Sequence, residues 1–443
     1  MKRNLLSLLS ASLALWLMLR TAILPAFADG EGEDPSEPTI SHASAAYLYN
    51  FENNQVLYTY NAGEKVYPSS TVKLMTAIVA MEHFEGALDT PVTVTEEMLE
   101  LATGNLAELT DGEEVTVEQL LNCMLVASAN DAAIALAYAV AGDVPSFVAQ
   151  MNGKAAALGA NSTVYTNPTG MFDYEMVTTA EDTALIARYA YTIPGLVEMT
   201  STSKYVMDAT NRSDFRNLYN RNAMISKYYS TAYYDSRAVG LNAGGTSQGG
   251  YSICAVAEDP ETELTYLAVV LGADFGTTEA YHYSNAAALL NWAFDTYAYR
   301  EILSTRKTVC EIPVNLSSTI DYVTLVPKES LYLYLPSTAD LSSSLHYSYS
   351  TYTETLDAPV EAGTEAGIIT VFLGEQVLGS CPLITTSSVT RSEFLHFLDE
   401  VQEFTEGRFF RGMLISAVVL SILYVFLRAR QREKKLRRMS GRR

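Results

Sequence analysis

The chain is poor in the residues that build metal and disulfide chemistry: its 443 residues hold 4 Cys, 5 His and 2 Trp. Cys123, Cys254, Cys310 and Cys381 are too few and too scattered for a disulfide scaffold or a zinc site. They read as small buried apolar residues, with a Cys310–Cys381 staple left open. His42, His83, His282, His346 and His396 show no metal-ligand spacing, so no metal or other cofactor is expected. Positive charge is scarce too, Lys plus Arg numbering 29 against 51 Asp plus Glu for a formal −22. That balance excludes a protein that grips nucleic acid through its phosphates. With 48% apolar and 18% charged residues, 25 Gly and 14 Pro, the chain is neither disordered throughout nor collagen-like.

The deficit of positive charge is uneven. Lys2, Arg3 and Arg20 give residues 1–28 a charge of +3, and nine Lys and Arg against Glu433 give the segment beyond Leu427 +8, which leaves −33 for the stretch between. Both basic ends adjoin apolar runs. Lys2 and Arg3 precede Leu5 to Leu19 and the small-residue site Ala26-Phe27-Ala28, the pattern of a secretory signal peptide over 1–28. At the other end, 412–427 is uncharged and reads as a transmembrane anchor of about 24 Å, short of the roughly 30 Å hydrocarbon core. The basic run at 428–443 marks a cytoplasmic tail. The acidic body is therefore expected outside the cytoplasm, held to the cell membrane by a single pass.

Between these ends the text changes character several times. Residues 29–39 form an acidic, Gly- and Pro-containing leader of the kind that stays disordered. Ala46 to Tyr60 alternates around Asn53-Asn54 as a hairpin. A helical pattern starts at Ser69, and Thr116 to Gln119 has the form of a capping box opening another helix. Further helices are expected over 131–141, 182–190 and 286–297, and strands over 251–257 and 264–271. Helices mixed with an antiparallel sheet give an α+β domain spanning 40–303. Residues 307–390 carry short Tyr-, Leu- and Thr-rich strands of a separate small β domain, and 392–411 reads as an amphipathic linker helix.

Two motifs carry chemistry. Ser70-Thr71-Val72-Lys73 puts a hydroxyl and an amine on one helical face, and a desolvated lysine can serve as the base for a serine nucleophile. Ser201 to Lys204 and Ser304 to Lys307 share the spacing but lie in polar, strand-like or linker text. Only Ser70 follows a chain break at Pro68-Ser69 and opens an apolar helix, where backbone N–H groups can also face an oxyanion. The second motif is Ser128-Ala129-Asn130-Asp131, at the junction of two helices. Alone it reads as a helix cap; with Ser70 and Lys73 it can relay a proton and hold a substrate amide.

Together the two motifs, with Asn167-Pro168-Thr169-Gly170 and the text over 178–189, 249–270 and 356–383, resemble the low-molecular-mass penicillin-binding proteins that act as serine-type D-alanyl-D-alanine carboxypeptidases. The resemblance implies a β-lactamase/transpeptidase-like catalytic domain, a small all-β domain and a C-terminal transmembrane helix. It implies that Ser70 attacks the bond between two D-alanines of a peptidoglycan stem peptide to form an acyl-enzyme, with Lys73 as base, Ser128 passing the proton to the leaving amine and Asn130 holding the peptide. β-Lactam antibiotics would acylate the same serine. The family's Lys-Thr-Gly motif aligns with Asn242-Ala243-Gly244, followed by Gly245 as an expected backbone donor to the oxyanion. The charge and hydroxyl that hold the substrate carboxylate are missing there. A basic residue of the next strand is also missing at Leu264-Thr265-Tyr266. Two expectations follow: a hydrolase acting through an acyl-serine, or a relative that binds cell-wall peptide or a partner without turnover.

Overall fold

A computed structural model describes residues 37–274, 279–337, 339, 341 and 345–440. The expected signal peptide and most of the acidic leader lie outside these residues. The chain divides into two compact units at Tyr297/Ala298, six residues before the end of the domain read from sequence. The reason is local. After the helix Tyr281–Thr296 the chain runs directly into the strand Tyr297–Leu303, which pairs with Leu331–Pro336.

The first unit is built on a five-stranded antiparallel sheet. Its strands are β1 (Ala45–Asn50), β2 (Gln55–Tyr60), β3 (Ala238–Thr246), β4 (Gly250–Asp259) and β5 (Leu264–Ala273), in the order β2-β1-β5-β4-β3. The expected hairpin is β1-β2, turning through 51–54. Strand alternation serves two apolar layers at once. Leu267, Val269 and Leu271 join the main core with Leu74, Met75 and Ile78 of α1 (Val72–His83). Tyr266 points to the opposite face, where its ring meets Phe294 of α5 (Tyr281–Thr296) edge-on at 4.6 Å. Being packed on both faces explains why β5 reads as a continuous apolar run.

Helix α1 is buried from Val72 through Met81, so it is apolar all round rather than on one stripe. It is joined in the core by α2 (Val117–Ala127), α3 (Asn130–Ala141) and α4 (Ala180–Tyr191). The capping box is present: the Gln119 N–H donates to Thr116 Oγ1 at 3.1 Å, and the Thr116 N–H to Gln119 Oε1 at 2.9 Å.

The second unit centres on β6 (Cys310–Asn315), β7 (Tyr322–Pro327), β8 (Leu345–Thr351), β9 (Leu356–Asp357), β10 (Glu365–Leu373) and β11 (Gln376–Thr385), ordered β8-β10-β11-β7-β6-β9 around their own core of Ile312, Leu325, Val371 and Leu383. Two helices follow. α6 (Glu393–Glu406) leaves Phe394, Phe397, Leu398, Val401 and Phe404 exposed, and an extended Gly407 separates it from α7 (Arg408–Ser440). The sequence reading ended the span at Leu427, but the helix does not stop there. Arg408–Glu433 is long and apolar enough to cross a membrane; its 26 residues cover about 39 Å at 1.5 Å each, and the uncharged 412–427 lies inside it between Arg411 and Arg428.

All four cysteines are free. Cys310 pairs across to Leu325, and Leu325 to Thr385, so Cys381 is two strands and four residues away from Cys310. That is beyond the 4.4–6.8 Å Cα separation a disulfide spans, and the staple left open by the sequence does not form. Cys123, Cys254 and Cys381 are buried while Cys310 is partly exposed. A maleimide should therefore modify Cys310 alone in the native protein and all four thiols after denaturation without reductant; mass spectrometry of the adducts checks the count.

Candidate active site

Ser70 sits in a short 3-10 turn, Ser69–Thr71, that leads into α1. Three neighbours fix the turn. Thr71 Oγ1 donates to the Pro68 carbonyl at 2.7 Å, Ser69 Oγ to the Gly250 carbonyl at 2.9 Å, and β3 crosses directly over Ser70. The crossing explains the glycine of the third motif. A Cβ on Gly244 would lie 2.6 Å from Ser70 Oγ, and its φ is +157°, so both space and backbone demand the side-chain-free residue.

Lys73 follows one turn on, and only 2% of it is exposed. Its Nζ donates to the Thr169 carbonyl at 2.6 Å. That carbonyl is supplied by the turn at 167–170, where Asn167 Oδ1 accepts from the Thr169 hydroxyl at 2.9 Å and the Gly170 N–H at 2.9 Å, and Thr76 Oγ1 reaches the Pro168 carbonyl at 2.7 Å. The turn docks so closely that a Cβ on Gly170 would stand 2.0 Å from the Ser69 carbonyl oxygen. Burial pushes the Lys73 amine down to about 7. The lysines of the two competing Ser-x-x-Lys sequences, Lys204 and Lys307, are exposed.

Ser128 lies where α2 stops. It adopts the left-handed conformation, φ +55°, while the next N–H, of Ala129, returns to the Cys123 carbonyl at 3.2 Å. A non-glycine residue there costs about 1 to 2 kcal/mol, and the effect is to turn Ser128 into the same pocket as Ser70. The cap reading of Asp131 is replaced by another role. Its carboxylate accepts from the Ala107 and Leu109 N–H groups at 2.9 and 3.1 Å, pinning the segment 103–109 beside α3. That segment holds Asn130 in turn, through the Thr103 carbonyl to Nδ2 at 2.6 Å and the Asn105 carbonyl to its N–H at 2.7 Å. Asn130 Oδ1 is left buried without a partner among the described residues. The segment's far end is anchored by Glu113, fully buried, whose carboxylate takes both Arg216 nitrogens at 2.7 and 2.8 Å. Burial alone would raise this carboxyl; hydrogen bonds from Arg216, Thr210 and Thr110 hold it below its ordinary value.

One cavity of about 520 Å³ collects Ser70, Ser128, Ala243, Gly244 and Gly245. Asn242 is 3% exposed and does not line it; its Oδ1 is buried without a partner among the described residues. The sequence reading missed several lining residues, chiefly Asn105, Arg221, Tyr229, Tyr233, Tyr251 and Tyr283. Arg221, an exposed residue, is the one Lys or Arg among the lining residues, which also include Asp274 and Glu279; no ion pair ties it down among the described residues. One expectation is corrected. Leu264-Thr265-Tyr266 cannot be the place of a carboxylate-binding cation, because Thr265 faces Glu258 while the pocket residue Tyr251 faces Ala273. Seven residues of strand, about 23 Å, separate the two ends.

The sequence comparisons agree with this arrangement. The family model described as D-alanyl-D-alanine carboxypeptidase matches residues 32–275, and that of the penicillin-binding protein 5 C-terminal domain matches residues 297–391. The chain belongs to the D-alanyl-D-alanine carboxypeptidase family. It is 27% identical over 395 residues to D-alanyl-D-alanine carboxypeptidase DacF of Bacillus subtilis, covering 88% of this chain and 96% of that one. Against DacA of Escherichia coli K12 the figures are 25% over 437 residues, 95% and 99%. The crystal structure of a peptidoglycan synthesis regulatory factor, PBP3 of Streptococcus pneumoniae, superposes with a TM-score of 0.56 at 25% identity over 79% of this chain and all of that one. The chain is thus a serine D-Ala-D-Ala carboxypeptidase by family, with peptidoglycan as the material it acts on.

A lysine poised near 7 is protonated below that pH and able to accept a proton above it. Acylation of the site by a fluorescent penicillin is therefore expected to speed up about tenfold per pH unit up to about 7 and then level off. A rate constant independent of pH from 5 to 9 would remove Lys73 from the role of base.

Proposed function

We propose that Ser70, Lys73 and Ser128 carry the family's reaction in this chain, and that Arg221 supplies the positive charge its third motif has lost. The observation behind this reading is the buried Lys73 amine one helical turn from Ser70, whose hydroxyl lies under Gly244 in a pocket shared with Ser128. In the forward step neutral Lys73 takes the Ser70 proton, Ser70 Oγ bonds to the penultimate D-alanine carbonyl, and the backbone N–H groups of Ser70 and Gly245 face the oxyanion. Ser128 delivers a proton to the departing amine as the C–N bond breaks. Water then cleaves the ester and regenerates Ser70. Asn130, its amide held on one side by Thr103, offers the free Oδ1 to the substrate backbone.

The leaving residue carries the terminal carboxylate. Asn242 and Ala243 give it no charge, whereas Arg221 stands in the pocket with its backbone N–H on the Val126 carbonyl at 3.0 Å, two residues from Ser128. Binding without turnover is supported by Asn242 and Ala243 alone, and Arg221 removes much of that support. The span at Arg408–Glu433, with basic residues on its C-terminal side, fits a single pass that places the site on the cell-wall side of the membrane.

Two measurements on the full chain in detergent test these roles. Ser70→Ala should abolish labelling by a fluorescent penicillin; labelling that survives would move the nucleophile elsewhere. Arg221→Ala should raise KM for D-alanine release from a stem pentapeptide about ten- to a hundredfold, the worth of one charge-assisted hydrogen bond. Asn242→Lys with Ala243→Thr should recover that loss in the Arg221→Ala background. An unchanged KM in Arg221→Ala would leave the carboxylate without this partner.

A further inference from the structure

The pocket is larger and more aromatic than a terminal D-alanine requires. Its leaving-group end is marked by Arg221, which is fixed close to Ser128 through Val126 and whose carbonyl accepts from the Tyr283 hydroxyl at 3.0 Å. From there a run of rings lines the cavity. Tyr233 stacks on Tyr283 at 5.2 Å, His282 lies against Tyr283 at 4.0 Å, and Tyr251 stacks on His282 at 4.9 Å. Tyr251 comes to the edge of Gly245, where a Cβ would sit 2.7 Å from its ring. Tyr229 adds a further ring that is 53% exposed. Burial holds the His282 imidazole neutral, its pKa lowered to about 4, so this wall brings no second cation. The cavity of about 520 Å³ holds the reacting bond at Ser70 and Ser128 together with this aromatic wall, and a methyl group would leave the rings themselves uncovered. Aromatic faces are the surfaces on which another ring packs with most gain.

We propose that this wall is a subsite for the side chain of the leaving residue, and that the enzyme releases terminal D-amino acids with aromatic or large apolar side chains in preference to D-alanine. The proposal rests on the reading of Ser70, Ser128 and Arg221 given above. The chemistry is unchanged: the acyl group passes from the leaving D-amino acid to Ser70 and then to water, and the amine departs with the proton that Ser128 delivers. What changes is the identity of that amine. Arg221 takes the carboxylate, which every D-amino acid shares, and the rings sort the side chains.

The test is the ratio of kcat/KM for release of D-phenylalanine and of D-alanine from two synthetic stem pentapeptides differing only in the last residue, measured with the full chain in detergent. A ratio of about ten or more is expected, as burial of a ring should give. Tyr233→Ala should bring the ratio to about one. Because Tyr233 also accepts the Ala280 N–H at 3.0 Å, the exposed Tyr229→Ala serves as a second variant that leaves the fold alone and should lower the ratio at least threefold. A wild-type ratio of one or less in protein that a penicillin acylates overturns the subsite and leaves the earlier reading standing. A high ratio unmoved by both variants overturns the assignment to these rings. Failure of any Ser70-dependent acylation overturns both readings together.

Discussion

Everything in the first unit is arranged around one buried amine. A lysine withdrawn from water would lose more than folding can spare if it stayed charged and unpaired, and the chain meets that constraint in two ways. It lets the proton go near neutral pH, and it gives Nζ a carbonyl to donate to, the one offered by Thr169. The all-round apolar surface of α1, the docking of the 167–170 turn and the glycine that lets that turn approach Ser69 all follow from keeping this group dry. The same seclusion leaves the amine able to take up a proton near neutral pH.

Around it the polar groups are organised as nested supports. Asp131 and the Glu113–Arg216 pair do not line the pocket; they hold the segment whose carbonyls hold Asn130. A buried ion pair contributes little net stability compared with apolar packing, yet losing one partner is costly. Its value here is geometric, since a segment tied at both ends presents the same carbonyls to the same amide.

Much of this was legible in the sequence where the signal is local. The turn before Ser70, the Thr116 capping box and the strands over 251–257 and 264–271 are set by near neighbours along the chain, and β4 and β5 enclose the two stretches so read. The exposure of Lys204 and Lys307 also matches their polar surroundings. What escaped notice was produced by distant segments meeting. Asn167 to Gly170 is plainly a turn, but nothing in its residues says that it will seal Lys73. Arg221 and the tyrosines at 229, 233 and 251 carry no motif, and they line the cavity because β3, β4 and the loop before β3 converge there. The doubt attached to Leu264-Thr265-Tyr266 arose from the same blindness, since an alignment names a strand without saying which end of it faces the site. The extent of the last helix escaped for a different reason: charge ended the apolar count at Leu427, whereas helical hydrogen bonding does not depend on charge and continues to Ser440.

The order of the sheet has one more consequence. β3 closes the series β2-β1-β5-β4-β3 and, among the described residues, has a strand partner on one side only. Its other side carries a row of main-chain donors and acceptors next to Ser70. A peptide laid along that margin would be met as one more strand, and main-chain pairing is indifferent to what a peptide's side chains are. Such a margin reads extension and direction. Composition is then judged elsewhere, in the cavity past the bond to be cut.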